Sequence, residues 1–235
     1  MFLLRFLLLV ILTATATAAT AATPTAVAIS YNLFRNGTHI GVINENFEIK
    51  NGVYSATSEA TAIGLFALAQ RRPIIYTSTG ESTKDGLRPA RFEGRRNNSV
   101  STAEFDWKSD KLTMTHDGVN QVVALPAATQ DRLSAMYQLT YLVQAKPRTA
   151  NIVEMPMTTG RKFDRYRYDV HQDVIIDTPL RRLTTLHLAK QRDQNESHTE
   201  IWLAPEFHYM PVKVVIIEND GVRYEQVVTR LDVKL

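Results

Sequence analysis

The sequence predicts an all-β protein, mainly antiparallel, with one long helix: an open or half-closed β-barrel laid out as a meander of hairpins. Three observations carry this expectation. Asn36-Gly37, Asn51-Gly52, Asp85-Gly86, Asp117-Gly118 and Asp220-Gly221 each fall between segments of strand character. Such pairs supply the positive-φ residues of the type I′ turns that suit the twist of paired strands. A single long stretch of helical period, residues 129–145, interrupts the strands. The chain has no cysteine, so neither disulfides nor thiolate metal sites can hold it and an ordinary apolar core must.

Taken in order, the chain opens on Met1 to Arg5, an apolar run from Phe6 to Leu12 and an Ala/Thr-rich tract. That is the layout of a secretory signal peptide over residues 1–18, with small-residue cleavage choices between 16 and 21. The apolar run is shorter than the roughly 20 residues a membrane-spanning helix needs. The expectation is a periplasmic protein with no transmembrane segment in the mature chain, residues 19–235 forming one β-barrel-like domain.

Strands are expected at roughly 28–35, 39–49, 53–62, 74–84, 88–96, 100–107, 111–116 and 119–124. After the helix they resume at roughly 151–157, 162–176 (whole or broken), 183–191, 197–204, 212–219 and 222–234. Residues 63–70 are apolar and stop at Pro73, which reads as a turn or two of helix over a sheet end. In the long helix Leu133, Met136, Tyr137, Thr140 and Val143 share one face, and Asp131, Ser134 and Gln138 lie opposite. Thr129 is the expected N-cap and Pro147 the stop. The densest aromatic and aliphatic stretch is Glu200 to Ile217, which Pro205 and Pro211 divide into strand, turn and strand. Its second strand is apolar on both faces and needs cover on both sides.

Reactive groups are hard to find. Asp169, His171 and Asp173 alternate on a strand and are weak candidates for a cation, although a solvated face of mixed charge explains the same pattern. His187, His198 and His208 carry no ligand spacing, and neither Gly-x-Ser-x-Gly nor Ser-x-x-Lys occurs. No cofactor is expected, and a net charge of +3 gives no support to nucleic-acid binding. Arg71-Arg72, Arg95-Arg96 and Arg181-Arg182 could meet anionic head groups or simply solubilise strand ends. If the barrel holds a ligand, its expected lining is Leu65, Phe66, Leu68, Trp107, Leu133, Met136, Tyr137, Trp202, Phe207 and Tyr209. The same aromatics would serve equally as solid core.

Tyr31-Asn32-Leu33-Phe34-Arg35-Asn36-Gly37, Pro89-Ala90-Arg91-Phe92, Glu200 to Pro205 and Met210-Pro211-Val212-Lys213 resemble family 3108 of the bacterial domains of unknown function. The resemblance covers nearly all of the mature chain and implies an exported envelope protein of antiparallel β fold with no assigned reaction. A looser likeness, of fold only, is to the periplasmic Lol carriers of lipoproteins, whose half-open barrel holds acyl chains. The function this implies is non-enzymatic binding of an apolar or amphipathic, lipid-like ligand or of an envelope partner. A structural protein whose barrel is filled by its own helix is one alternative, and an unrecognised hydrolase is another.

Overall fold

The computed structural model describes residues 24–145, 151–191 and 196–235, so the leader lies outside the described residues. Eight strands run as hairpins in the first half: β1 (Ala26–Arg35), β2 (Thr38–Lys50), β3 (Val53–Ala62), β4 (Ile74–Thr83), β5 (Gly86–Arg96), β6 (Ser99–Asp106), β7 (Lys111–His116) and β8 (Val119–Ala124). A four-residue helix, α1 (Phe66–Ala69), joins β3 to β4. The two-residue β9 (Gln130–Asp131) leads into α2 (Ser134–Ala145). The second meander follows as β10 (Ile152–Thr158), β11 (Phe163–Asp177), β12 (Arg182–Lys190), β13 (His198–Ala204), β14 (Met210–Ile217) and β15 (Arg223–Lys234).

Turn chemistry decides the hairpins. Asn36-Gly37, Asn51-Gly52 and Asp117-Gly118 have positive φ at both residues, as type I′ turns require. At Asp85-Gly86 and Asp220-Gly221 only the glycine does, so those hairpins close by other turns. The two meanders meet where β15 pairs antiparallel with β1, giving one fifteen-stranded sheet with β8 and β9 at its edges. The sheet curls without closing. β9 packs on β5, Thr158 Oγ1 of β10 lies 3.0 Å from Met114 Sδ of β7, and Gly160 sits against Phe92 and Ser101. Among the described residues no ladder joins the edges, so the barrel is half-closed.

α2 lies inside the curl and is wrapped by both meanders. Leu133 and Tyr137 join a core drawn mostly from the first meander but reaching Met210, Val212 and Val228 of the second, and there Tyr137 stacks on Phe47 with ring centres 4.3 Å apart. Ala135, Leu139 and Val143 join the core of the second, with Val153, Leu188, Ile201 and Leu203. The expected polar face is therefore corrected: Asp131, Ser134 and Gln138 are buried too. Their partners are backbone and side-chain groups of the sheet. Gln138 Oε1 accepts from the Leu87 amide at 2.7 Å, and its side-chain nitrogen donates to Asp85 O at 3.3 Å. Gly86, at φ +117, leaves the space that Gln138 fills, where a Cβ would come within 2.2 Å of Oε1.

The side chain that satisfies the amides at the helix start is that of Asp131, not Thr129. Asp131 Oδ1 accepts from the amides of Leu133 and Ser134 at 2.8 and 2.9 Å, while Ser134 Oγ accepts from the Asp131 amide. This reciprocal exchange satisfies amides that a helix start leaves unpaired. Oδ2 accepts from Ser78 Oγ at 2.6 Å, and Ser78 in turn lies 2.8 Å from the Tyr54 hydroxyl. The buried relay ties β3 and β4 to the helix start. Thr129 instead donates to Pro126 O.

Candidate functional site

The helix fills only one end of the curl. Towards the end marked by the turns at 51–52 and 84–86, α2 is anchored by Gln138 and by Gln144 Nε2, which donates to His208 O at 3.1 Å. At the other end, marked by the turns at 97–98, 117–118 and 159–161, a cavity of about 460 Å³ remains. Leu133 and Met136, at the start of α2, line it. The first meander contributes Tyr31, Ile43, Glu45, Ser58 and Tyr76, and the second Met157, Tyr166, Tyr168, Val214 and Ile216. The volume falls in the range of small-ligand pockets.

Two ionisable groups of this lining, Glu45 and Arg132, act on each other. On the inward face of β2, Glu45 comes between Ile43 and Phe47, and it pairs across the strands with Ser58, whose Oγ donates to Oε1 at 2.9 Å. Burial pushes the Glu45 carboxyl up to about 7, against the Ser58 hydrogen bond and the charge of Arg132, which both pull it down. Arg132 precedes α2 by two residues. Its guanidinium lies 4.4 Å over the Tyr76 ring and donates to the Tyr76 hydroxyl at 3.2 Å. Among the described residues no carboxylate pairs with it. Tyr76 stacks on Phe92 and rests over Gly94, where an added Cβ would meet the ring at 2.8 Å. The absent side chain of Gly94 thus sets the Tyr76 plane, and Tyr76 sets Arg132. Arg96, His116, Arg161 and Lys162 stand around the mouth.

The residues expected to line a ligand site divide. Leu133 and Met136 line the cavity. Tyr137 is buried one turn on in the packed half, where burial and the neighbouring Glu45 push its hydroxyl pKa well above the usual range. Leu65, Phe66 and Leu68 are exposed on and beside α1, outside the lining. α1 does sit at the mouth end, since Gln70 just after it donates to Asn97 Oδ1 at 2.8 Å, next to the lining residue Arg96. Trp107 belongs to the opposite end, where its indole donates to Pro89 O and stacks on Phe105. Phe207 and Tyr209 lie at that end as well, and Arg181 covers the Phe207 ring. Trp202 faces away from Ile201 and Leu203, which pack on α2; it stacks on His187 at 4.5 Å and lies 5.2 Å from the Lys213 ammonium.

The cation candidates do not assemble. β11 bulges between His171 and Val174, and Asp173 there has φ 54°, which throws it out of the alternation it would need to share with Asp169 and His171. Asp169 instead accepts from Gln191. Among the described residues, no three His, Cys, Asp or Glu side chains are placed to hold a metal. His187 and His198 do converge, on the two oxygens of Glu200 at 2.9 and 3.0 Å, whereas His208 lies elsewhere. No helix among the described residues is long and apolar enough to cross a membrane.

Known structures of similar fold exist. A crystal structure of a β-barrel-like protein of domain of unknown function DUF1849 from Brucella abortus superposes over 92% of this chain and 100% of its own, with TM-score 0.55 and 10% identity. A candidate lipoprotein from Parabacteroides distasonis overlaps 89% of this chain and 96% of its own at TM-score 0.31 and 9% identity. The first likeness supports the barrel-like fold; the second is too loose to support an argument. No curated protein matches the chain. The model of the family described as protein of unknown function DUF3108 matches residues 28–227, and the chain belongs to that family.

Proposed function

We propose that the protein is an exported, non-enzymatic binding module that holds an amphipathic ligand in the cavity at the mouth end of α2. The observation that carries this reading is the uneven filling of the barrel. The same helix that packs one end solidly stops short of the other and leaves about 460 Å³ there, with apolar side chains and a few converging polar groups. Solid packing is the rule in protein interiors, so a retained void of this size is a feature to explain. The leader layout supports export and a place in the periplasm. A barrel filled by its own helix describes the other end only.

The test is displacement of the neutral lipophilic dye N-phenyl-1-naphthylamine by decanol, measured on the purified mature chain. Wild type should bind the dye and release it to decanol. Ala60→Trp, which places an indole in the cavity wall, should abolish binding while the protein stays folded. Trp202→Ala should leave binding intact, because Trp202 is outside the lining. A wild type that binds neither compound, or an Ala60→Trp variant that binds both normally, would overturn the reading.

A further inference from the structure

We infer that the amphipathic ligand is an anion, its carboxylate, phosphate or sulfate head held inside the cavity by the Arg132 guanidinium. This rests on the cavity being a ligand site and adds the chemistry of the head group.

Arg132 carries the argument. A guanidinium has five N–H donors in a planar fork and stays charged at any ordinary pH. Here one of those donors has an assigned partner, the uncharged Tyr76 hydroxyl, and the Tyr76 ring supports the cation from one side. The side chain is only partly exposed and lines the cavity. A cation withdrawn from bulk water without an ion-pair partner is costly, and the arrangement becomes favourable when an anion completes the fork. The tether to Tyr76 fixes the guanidinium before any ligand arrives, so little side-chain entropy remains to be lost on binding.

The remaining lining agrees. Its permanent cations are Arg96, Arg132, Arg161 and Lys162, against the two carboxylates Glu45 and Glu218. Of these carboxylates, Glu45 is the buried one, and burial favours its protonated form, which removes much of the opposing charge near neutral pH. Around the mouth, Arg161 acts on Asp117 and Lys162 on Glu196, so part of the rim charge is offset and Arg132 inside the cavity carries the preference for an anion. Apolar side chains of Leu133, Met136, Met157 and Val214 provide the surface for the other part of the ligand.

Three amphiphiles with the same ten-carbon tail test the idea: decanoate, decanol and decyltrimethylammonium, each measured by dye displacement at moderate salt. Wild type should prefer decanoate to decanol by about tenfold, the worth of a charge-assisted contact, and bind the ammonium compound weakest. Arg132→Met should keep decanol binding and lose the preference. Arg132→Lys, which keeps the charge and loses the fork, should fall between them and supplies the result if the Met variant does not fold. The double change Arg161→Met, Lys162→Met should slow association while leaving most of the preference. The inference is overturned if wild type binds all three equally, if Arg132 variants keep the full preference, or if the preference disappears only in the rim variant. Failure of every amphiphile to bind would instead sink the cavity reading beneath it.

Discussion

The two ends of the half-barrel are made by the same strands and differ in what α2 does. At the packed end, Leu139 and Val143 fill the space against the second meander, Tyr137 stacks on Phe47, and Gln138 satisfies backbone groups of β5. At the mouth end the helix begins, and there Arg132, Leu133 and Met136 face a wide gap. The lesson is that one element can be both plug and floor. Stability is concentrated where it is a plug, and unsatisfied binding capacity where it is a floor.

Substitutions sharpen that contrast. The largest effect belongs to Leu139→Ala at the packed end, where a fully buried side chain is lost; it should cost about 2–5 kcal/mol in a urea titration. Met136→Ala, at the cavity and only partly buried, should cost clearly less, and equal costs would erase the distinction between the ends.

Next is Glu45→Gln, whose effect depends on pH. The folded carboxyl is raised to about 7 from 4.5 by burial, so the folded state holds its proton more tightly than the unfolded state does. Stability from this group is therefore present below about pH 4.5 and is lost as pH rises towards about 7, amounting to about 3 kcal/mol in all. The Gln variant should be more stable than wild type above neutral pH, and the gain should vanish in acid. A pH-independent difference in denaturation midpoint would show that Glu45 does not titrate in this window.

Gln138→Ala comes third. It orphans the Leu87 amide in a buried setting and should cost about 1–3 kcal/mol. Ser101→Ala at the cavity wall removes the hydrogen bond to His116 Nδ1 at 2.9 Å and should cost about 0.5–1.5 kcal/mol in the same titration. The smallest effect is expected at Leu65, 84% exposed beside α1: Leu65→Asp should change stability by less than about 0.5 kcal/mol. A larger loss would mean that this apolar corner belongs to the core after all.

Much of the fold is legible in the sequence because it is local. Asn-Gly and Asp-Gly pairs mark hairpins through their own backbone preferences, and the strands between them follow. What the sequence hides is enclosure. Asp131, Ser134 and Gln138 sit at helical spacing opposite an apolar face, which is the pattern of a helix half in water. Only the wrapping of α2 by two meanders turns them into buried anchors, and no local rule carries that information. The bulge at Asp173 is similar: a break somewhere in 162–176 can be expected, but the sequence does not show that one extra residue at Asp173 cancels the alternation with Asp169 and His171.

The cavity is hidden from the sequence for a different reason. Glu45, Tyr76 and Arg132 come from β2, β4 and the segment before α2, far apart along the chain. One signal is nonetheless present. Glu45 lies two residues from Ile43 and two from Phe47, in the alternation of a strand whose inward face is otherwise apolar. An acid at such a position is costly to bury and calls for a physical reason. Large aromatics draw attention to the opposite end instead, where Trp107 and Phe207 lie.

The pairing of β1 with β15 has a consequence for how the molecule assembles. Ala26 lies opposite Lys234, and the Thr25 amide donates to Lys234 O at 2.8 Å, so the first and last described strands are neighbours in the middle of the sheet. Each meander can form by short-range zipping, yet the seam that unites them spans nearly the whole chain. Contacts of such sequence separation are slow to form because the intervening chain must first be ordered. Until residues 223–234 take their place, β1 and β14 present unpaired edges, the kind of surface on which partly folded β proteins pair with one another. Refolding should therefore show a slow, concentration-sensitive last phase, and a chain lacking β15 should aggregate rather than settle into a smaller barrel.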